Sequence, residues 1–281
     1  MHSLPYAANC SMLFTEEPLL ARPAAAAAAG FDAVEFWWPW PDQPVPHDRQ
    51  VDEFVEAIRA SGVRLTGLNF FAGDLAGADC GVLSIPERAH QFRDNVEVTV
   101  GIGEQLGVRA FNALFGNRVD GASPAEQDEL GLEMLTLAAS AAGSIGATVL
   151  LEPVSGPKPY PIRTADDVAR ILDRVVLEGN ARVGFLCDLF HLANNGDDLD
   201  SAITRHADRI AHVQIADWPG RGEPGSGELD LDRQLTAIQA TGFDGHVALE
   251  YKPTGTTEDS LAWLSRARRS ATSNSAQTGS H

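Results

Sequence analysis

The sequence predicts a closed (β/α)8 barrel of the TIM type, α/β in class, and three observations carry that prediction. Short apolar or β-branched runs alternate with helical stretches along the chain, the pattern of repeated βα units around a parallel sheet. Eight runs and eight helical stretches can be counted, which is the number that closes such a barrel. The length of 281 residues suits one barrel with modest loops.

The strands are expected at residues 4–9, 33–37, 64–70, 109–114, 148–152, 183–188, 210–216 and 246–251. Helices are expected between them at 16–29, 48–61, 86–105, 124–145, 164–178, 197–207, 231–241 and 257–268. Thr15, Ser123 and Thr164 stand where N-caps belong, because a side-chain oxygen there accepts a free first-turn N–H. Pro124 occupies a first helical position, where its missing donor costs nothing. Gly30, Gly62, Gly107, Gly146 and Gly242 follow helices as left-handed C-caps should. The alanine run from Ala24 to Ala29 reads as a small-residue helix lying close against the barrel, kinked at its start by Pro23 and ended by Gly30. Residues 1–269 are therefore expected to form one domain with no linker, and 270–281, SATSNSAQTGSH, reads as a disordered tail because it has no apolar face.

Composition removes several function classes. Apolar residues make up 44% of the chain, and no apolar run nears the roughly 18 residues that would span a bilayer. The N-terminus, MHSLPYAANC, lacks a basic segment and an apolar signal core, so a cytoplasmic protein is expected. A formal net charge of −18 repels phosphate backbones and anionic lipid, which argues against nucleic-acid or membrane partners. Cys10, Cys80 and Cys187 are far apart and form no C-x-x-C pair, so neither a disulfide framework nor a zinc knuckle is indicated. A small-molecule partner fits this profile, and a homo-oligomer stays open.

In such a barrel the chemistry sits at the strand C-termini and the loops that follow them. The fifth run, TVLLEP, ends on Glu152; the sixth, VGFLCD, ends on Asp188; the seventh, AHVQIAD, carries Gln214; the eighth, HVALEYKP, carries Glu250. Each follows apolar residues that should be buried, and a carboxylate there is costly unless it is paired or bound to metal. A structural ion pair accounts for any one of them taken singly; four on consecutive strands converge on one point. Two Glu, one Asp and one Gln form an all-oxygen set, which suits one hard divalent cation, Mg2+ or Mn2+. His191, in DLFH, follows its strand into the loop as a ligand or substrate contact. His212, two residues before Gln214 on the same strand face, is either a second such contact or a hydrogen-bonded interior histidine. Arg221, the cation in DWPGRGEPGSGELD, is placed to fork onto a substrate carboxylate. Lys252, two past Glu250, is a further candidate for anion contact.

These residues lie in segments that resemble the hydroxypyruvate isomerase family of xylose isomerase-like TIM barrels, which includes 2-oxo-tetronate isomerases and is related to ketose 3-epimerases. The matching pieces are NCSMLFTEEPLLARPAAAAAAGFDAVEFWWP, LNFFAGDLAGADCG, LLEPV, CDLFH, HVQIADWPGRGEPGSGELD and LEYKP, with the PGRGEPGSGE segment the most specific. The resemblance implies a metal-dependent isomerase of a small hydroxy-keto acid, with Glu152 and Glu250 as the acid/base pair. It places Glu152, Asp188, Gln214 and Glu250 around the metal, and Asn69, from the LNFF segment, among the substrate contacts. Two stretches depart from the family: EPVSGPKPYPIRT after the fifth strand, and WWPWPDQPVPH after the second, whose Trp38 and Trp40 either wall the pocket or pack on the rim.

The reaction can also be reasoned from its chemistry. Aldose–ketose interconversion removes a proton beside a carbonyl and returns it to the neighbouring carbon through an enediolate, so two carboxylates and a cation are the groups it needs. Alternatives kept open are a longer sugar or sugar-acid substrate and a non-catalytic metabolite-binding barrel. An endonuclease is disfavoured by the acidic charge and by the lack of extra His and Asp ligands.

Overall fold

The computed structural model describes residues 2–75, 77–156, 159–177 and 182–270. Eight strands form the barrel: β1 (Tyr6–Asn9), β2 (Ala33–Phe36), β3 (Arg64–Asn69), β4 (Ala110–Asn112), β5 (Thr148–Leu151), β6 (Val183–Asp188), β7 (Ile210–Ile215) and β8 (Val247–Leu249). Each pairs in parallel with the next, and β8 returns to β1, so the sheet has no edge. The predicted fold class, α/β (β/α)8, is the one observed.

Around the sheet run α1 (Arg22–Ala28), α2 (Asp48–Ser61), α3 (Ala89–Leu106), α4 (Pro124–Ser144), α5 (Ala165–Leu177), α6 (Leu189–Asn194), α7 (Leu199–Arg205), α8 (Leu231–Ala240) and α9 (Thr257–Ser260). No described helix is long and apolar enough to cross a membrane. Ser123 caps α4 in a reciprocal box: its Oγ accepts from Glu126 N at 3.3 Å, and Glu126 Oε2 accepts from Ser123 N at 2.8 Å. Thr164 Oγ1 accepts from Asp167 N at 3.2 Å at the start of α5. The five predicted C-terminal glycines all take positive φ, from 74° at Gly107 and Gly146 to 102° at Gly30.

Three element expectations need correction. Thr15 lies in a turn and caps nothing; a 3-10 turn, Leu19–Ala21, leads into α1 instead. A helix over 16–29 would hold Pro23 in its interior, where the ring clashes and a hydrogen bond is lost, so α1 begins with Pro23 in its first turn and is not kinked by it. The last helix shrinks to α9, because Ser260 Oγ takes the Thr257 carbonyl at 2.7 Å and the Tyr251 hydroxyl takes the Ser260 carbonyl at 3.3 Å. A further difference is α6, an unpredicted helix between β6 and α7, too short to show a period.

Helices approach the barrel closely where side chains are absent. A Cβ on Gly103 of α3 would stand 2.3 Å from the Phe111 ring of β4, so that ring fills the space the glycine leaves. Phe70 and Phe111 rings lie 5.5 Å apart, and Phe70 meets Phe92 of α3 edge-on at 5.4 Å. The three cysteines are free and buried. At the chain's end Arg269 Nη1 donates to Ala29 O at 2.8 Å, and Ser270 Oγ bonds Asp32 Oδ2 at 3.1 Å, so ordered contacts reach one residue past the predicted domain boundary. The rest of the predicted tail, 271–281, lies outside the described residues.

Candidate active site

Side chains alternate in and out of the barrel, and the inward phase at the C-terminal end of the strands gathers the polar groups. The deeper layer is built on Glu35 of β2, which is buried. Its Oε2 lies 2.7 Å from His212 Nε2, and its Oε1 accepts from Gln214 Nε2 at 2.7 Å and Asn9 Nδ2 at 2.8 Å. Gly67 of β3 makes room for it, since a Cβ there would sit 3.1 Å from Glu35 Oε2. The sequence reading missed Glu35, although AVEF carries the same signal as the other candidates, a charged residue in an apolar strand. His212 is the interior histidine of the two alternatives: its Nε2 faces Glu35, and it does not line the chamber above.

That chamber has a volume of about 170 Å3, and Asn69, Glu152, His191, Arg221 and Glu250 line it together with Trp37 and Ser155. Glu250 Oε2 accepts from Gln214 Nε2 at 2.7 Å, Asn9 Nδ2 at 3.0 Å and Trp37 Nε1 at 3.1 Å. Its Oε1 accepts from Arg221 Nη2. The Arg221 guanidinium lies 5.3 Å over the Phe190 ring, and its buried Nε has no hydrogen-bond partner. Asp188 ends β6 and caps α6, its Oδ1 accepting from Phe190 N at 2.8 Å and His191 N at 3.0 Å. Its Oδ2 is left facing His191 Nε2 at 3.8 Å. Among the described residues Asp188, His191 and Glu250 form a group whose ligand atoms lie within 4.8 Å of one another.

Charge crowding follows from this geometry. Burial, then the Glu250 and Asp188 carboxylates, hold the Glu152 carboxyl well above its ordinary range, against a hydrogen bond from Asn112 and the pull of Arg221. Glu250 is pushed up to about 8 by burial; Arg221 opposes the rise, while Asp188 and Glu35 add to it. Burial depresses His191 to about 4, so its imidazole is neutral at neutral pH.

The donor set fits a hard divalent cation. Glu152 Oε2 and Gln214 Oε1 are buried without a hydrogen-bond partner, and such orphaned acceptors in a native interior ask for an ion or a water. With Asp188 and Glu250 they give oxygen donors from β6, β7, the end of β5 and the end of β8.

Two sequence expectations are not brought to this point. The Lys252 side chain is exposed and outside the chamber lining, because β8 stops at Leu249 and strand alternation no longer applies two residues past Glu250. Trp40 packs on the rim, its ring 5.1 Å from Trp38 and 5.6 Å from Phe54. Trp38 walls an outer groove of about 660 Å3 instead, and Trp37 borders both spaces.

The sequence matches the family described as xylose isomerase-like TIM barrel across residues 23–267. It is 50% identical to a putative hydroxypyruvate isomerase of Streptomyces coelicolor, over 94% of this chain and 96% of that one. It is 32% identical to the hydroxypyruvate isomerase of Escherichia coli, over 93% and 98%. Identity to the 2-oxo-tetronate isomerase of Cupriavidus necator is 31%, over 92% and 96%.

Proposed function

This chain belongs to the xylose isomerase-like TIM barrel family, and on that premise we propose that it is an isomerase that interconverts hydroxypyruvate and 2-hydroxy-3-oxopropanoate. The observation that carries the proposal is the pair of buried carboxyls, Glu152 and Glu250, facing one small chamber that also holds a guanidinium and a neutral imidazole. Relatives named hydroxypyruvate isomerase support the substrate class.

Asp188, Gln214, Glu152 and Glu250 would hold Mg2+ or Mn2+, whose positive charge, when bound, favours ionised carboxylates and stabilises negative charge on substrate oxygen. The reaction then needs little beyond the chain's own groups. One of Glu152 and Glu250, as carboxylate, takes a proton from C3 of hydroxypyruvate. The electron pair moves into a C2–C3 double bond, leaving an enediolate. The O3 proton is lost as the C3 aldehyde forms, O2 gains one to become a hydroxyl, and the other carboxyl, as acid, delivers a proton to C2. Atoms and charge balance, and no oxidant is consumed. Arg221, with donors beyond the one spent on Glu250, binds the substrate carboxylate. His191 donates to a substrate oxygen. Glu35 positions the deeper layer by fixing Gln214 and His212.

A four-carbon 2-oxo acid is the second substrate reading, favoured by the outer groove that meets the chamber at Trp37 and Leu75 and by the relative named 2-oxo-tetronate isomerase. Turnover of each acid by metal-stripped protein, with and without Mn2+, tests the proposal and ranks the two. Turnover of neither overturns it.

A further inference from the structure

One residue of the loop after β5 touches the active site. Ser155 N donates to His191 Nδ1 at 3.0 Å, and Ser155 Oγ lies 2.8 Å from the same nitrogen. A backbone N–H can only donate, so His191 Nδ1 is an acceptor, and the neutral ring carries its proton on Nε2.

The direction of the remaining bonds is fixed from the other end. Trp218 Nε1, a donor with no acceptor capacity, donates to Asn194 Oδ1 at 3.0 Å. That sets the Asn194 amide, whose Nδ2 donates to Ser155 Oγ at 2.9 Å. A hydroxyl that accepts from Asn194 has its own proton free for His191 Nδ1, whose single lone pair it shares with the Ser155 N–H in a three-centre bond. Asn195 clamps the same loop, donating to Val154 O at 3.3 Å and Arg163 O at 2.8 Å. Every bond in the series points the same way, toward the imidazole.

We propose that the Ser155 main-chain N–H locks His191 as an Nε2–H donor into the chamber and that Trp218, Asn194 and the Ser155 hydroxyl form a directional hydrogen-bond relay that holds the ring in place, so that His191 contacts a substrate oxygen and does not ligate the metal. The proposal rests on the isomerase reading for its kinetic consequence but not for its structural one. An Nε2 that bears a proton has no lone pair for a cation, although it lies beside Asp188 and Glu250. The three relay residues are positioning residues; only His191 touches substrate. Partners that fix a metal-ligating histidine change activity about 10- to 100-fold when mutated, and the same scale is taken for partners that fix a substrate-contacting one.

The experiment has a structural and a kinetic arm. In metal-free protein with 15N-labelled histidine, long-range proton–nitrogen NMR correlation reads the tautomer directly. The main-chain donor at Nδ1 predicts Nε2–H for His191, and an Nδ1–H tautomer overturns the proposal whatever the protein's activity. With Mn2+ bound, electron spin-echo spectra should show no directly coordinated histidine nitrogen; a coordinated one also overturns it. In turnover, Ser155→Ala should lower kcat about tenfold with KM and Mn2+ affinity nearly unchanged, and Ser155→Thr should recover it. Trp218→Phe should lower kcat in the wild-type background and add nothing in Ser155→Ala, since both act through one hydroxyl. Additive losses, or no rescue by threonine, would mean that these residues only support the loop. If the NMR arm succeeds and no isomerase activity is found, the failure belongs to the isomerase reading and the Nε2–H assignment of His191 stands.

Discussion

Glu250 accepts hydrogen bonds from four side chains and still holds its proton to about 8. Burial outweighs them all, and the Asp188 and Glu35 carboxylates add to the rise. A carboxyl raised this way is mostly protonated at pH 7, whereas a cation takes the ionised form. Mn2+ binding should therefore release protons, and affinity should tighten as pH rises toward about 8. Calorimetry in two buffers of different ionisation enthalpy checks this; heats independent of the buffer would contradict it. The same shift has a sign for stability. A folded value above the ordinary 4.5 favours the metal-free fold at low pH, and that contribution is lost as pH rises through about 8.

Arg221 carries the next prediction at this scale. With Nε buried and unpaired beside the chamber, its loss in Arg221→Ala should raise KM for hydroxy-keto acids far more than for neutral ketoses. The loss of a charge-assisted contact is worth about 1.5–3 kcal/mol, or roughly 10- to 150-fold in KM. Equal effects on acids and neutral ketoses would reduce Arg221 to a shaper of its loop. Most of these residues were legible beforehand, because a charge at the end of an apolar strand is expensive and so marks a site. Trp37 was not: its indole bond to Glu250 crosses 213 residues of sequence, and no local pattern reports it.

Asp188 serves two elements at once. One carboxylate oxygen caps α6 while the other faces His191 Nε2, so strand, helix and site share a residue. Asp188→Ala removes both functions and should cost about 1 kcal/mol of stability through the lost cap as well as metal affinity. Asp188→Asn keeps a capping oxygen, so it should hold the melting temperature near wild type and still lose most Mn2+ affinity. Equal affinity in Asp188→Asn would remove Asp188 from the ligand set. Helices with caps and clear punctuation, such as α2 and α4, were legible to within a residue or two. α6 was not, because a six-residue helix created by one capping carboxylate leaves no period to read. α9 was overread for the converse reason: its apolar spacing continues while Ser260 and Tyr251 take the carbonyls a longer helix would need.

At the scale of the molecule, eight βα units made the barrel legible because closure depends on their number and alternation and not on any single boundary. Closure also gathers carboxyls from β2 to β8 into one lumen, an arrangement that burial alone makes unfavourable unless something holds it. Removing one partner from this layer should be felt both in activity and in metal affinity, and Glu35→Gln, which loses the charge facing His212, should weaken both without altering the barrel's circular dichroism.

In the proposed reaction Glu152 and Glu250 move protons on a short hydroxy-keto acid in a metal-loaded chamber. Metal-stripped protein incubated with hydroxypyruvate in D2O, with and without Mn2+ and followed by proton NMR, tests it most directly. Conversion to 2-hydroxy-3-oxopropanoate is expected only with the cation present, with a fall in rate of about 10²–10⁴-fold in both Glu152→Gln and Glu250→Gln with Mn2+ still bound. Near-normal turnover in both glutamine variants, or full turnover without any divalent cation, would contradict it.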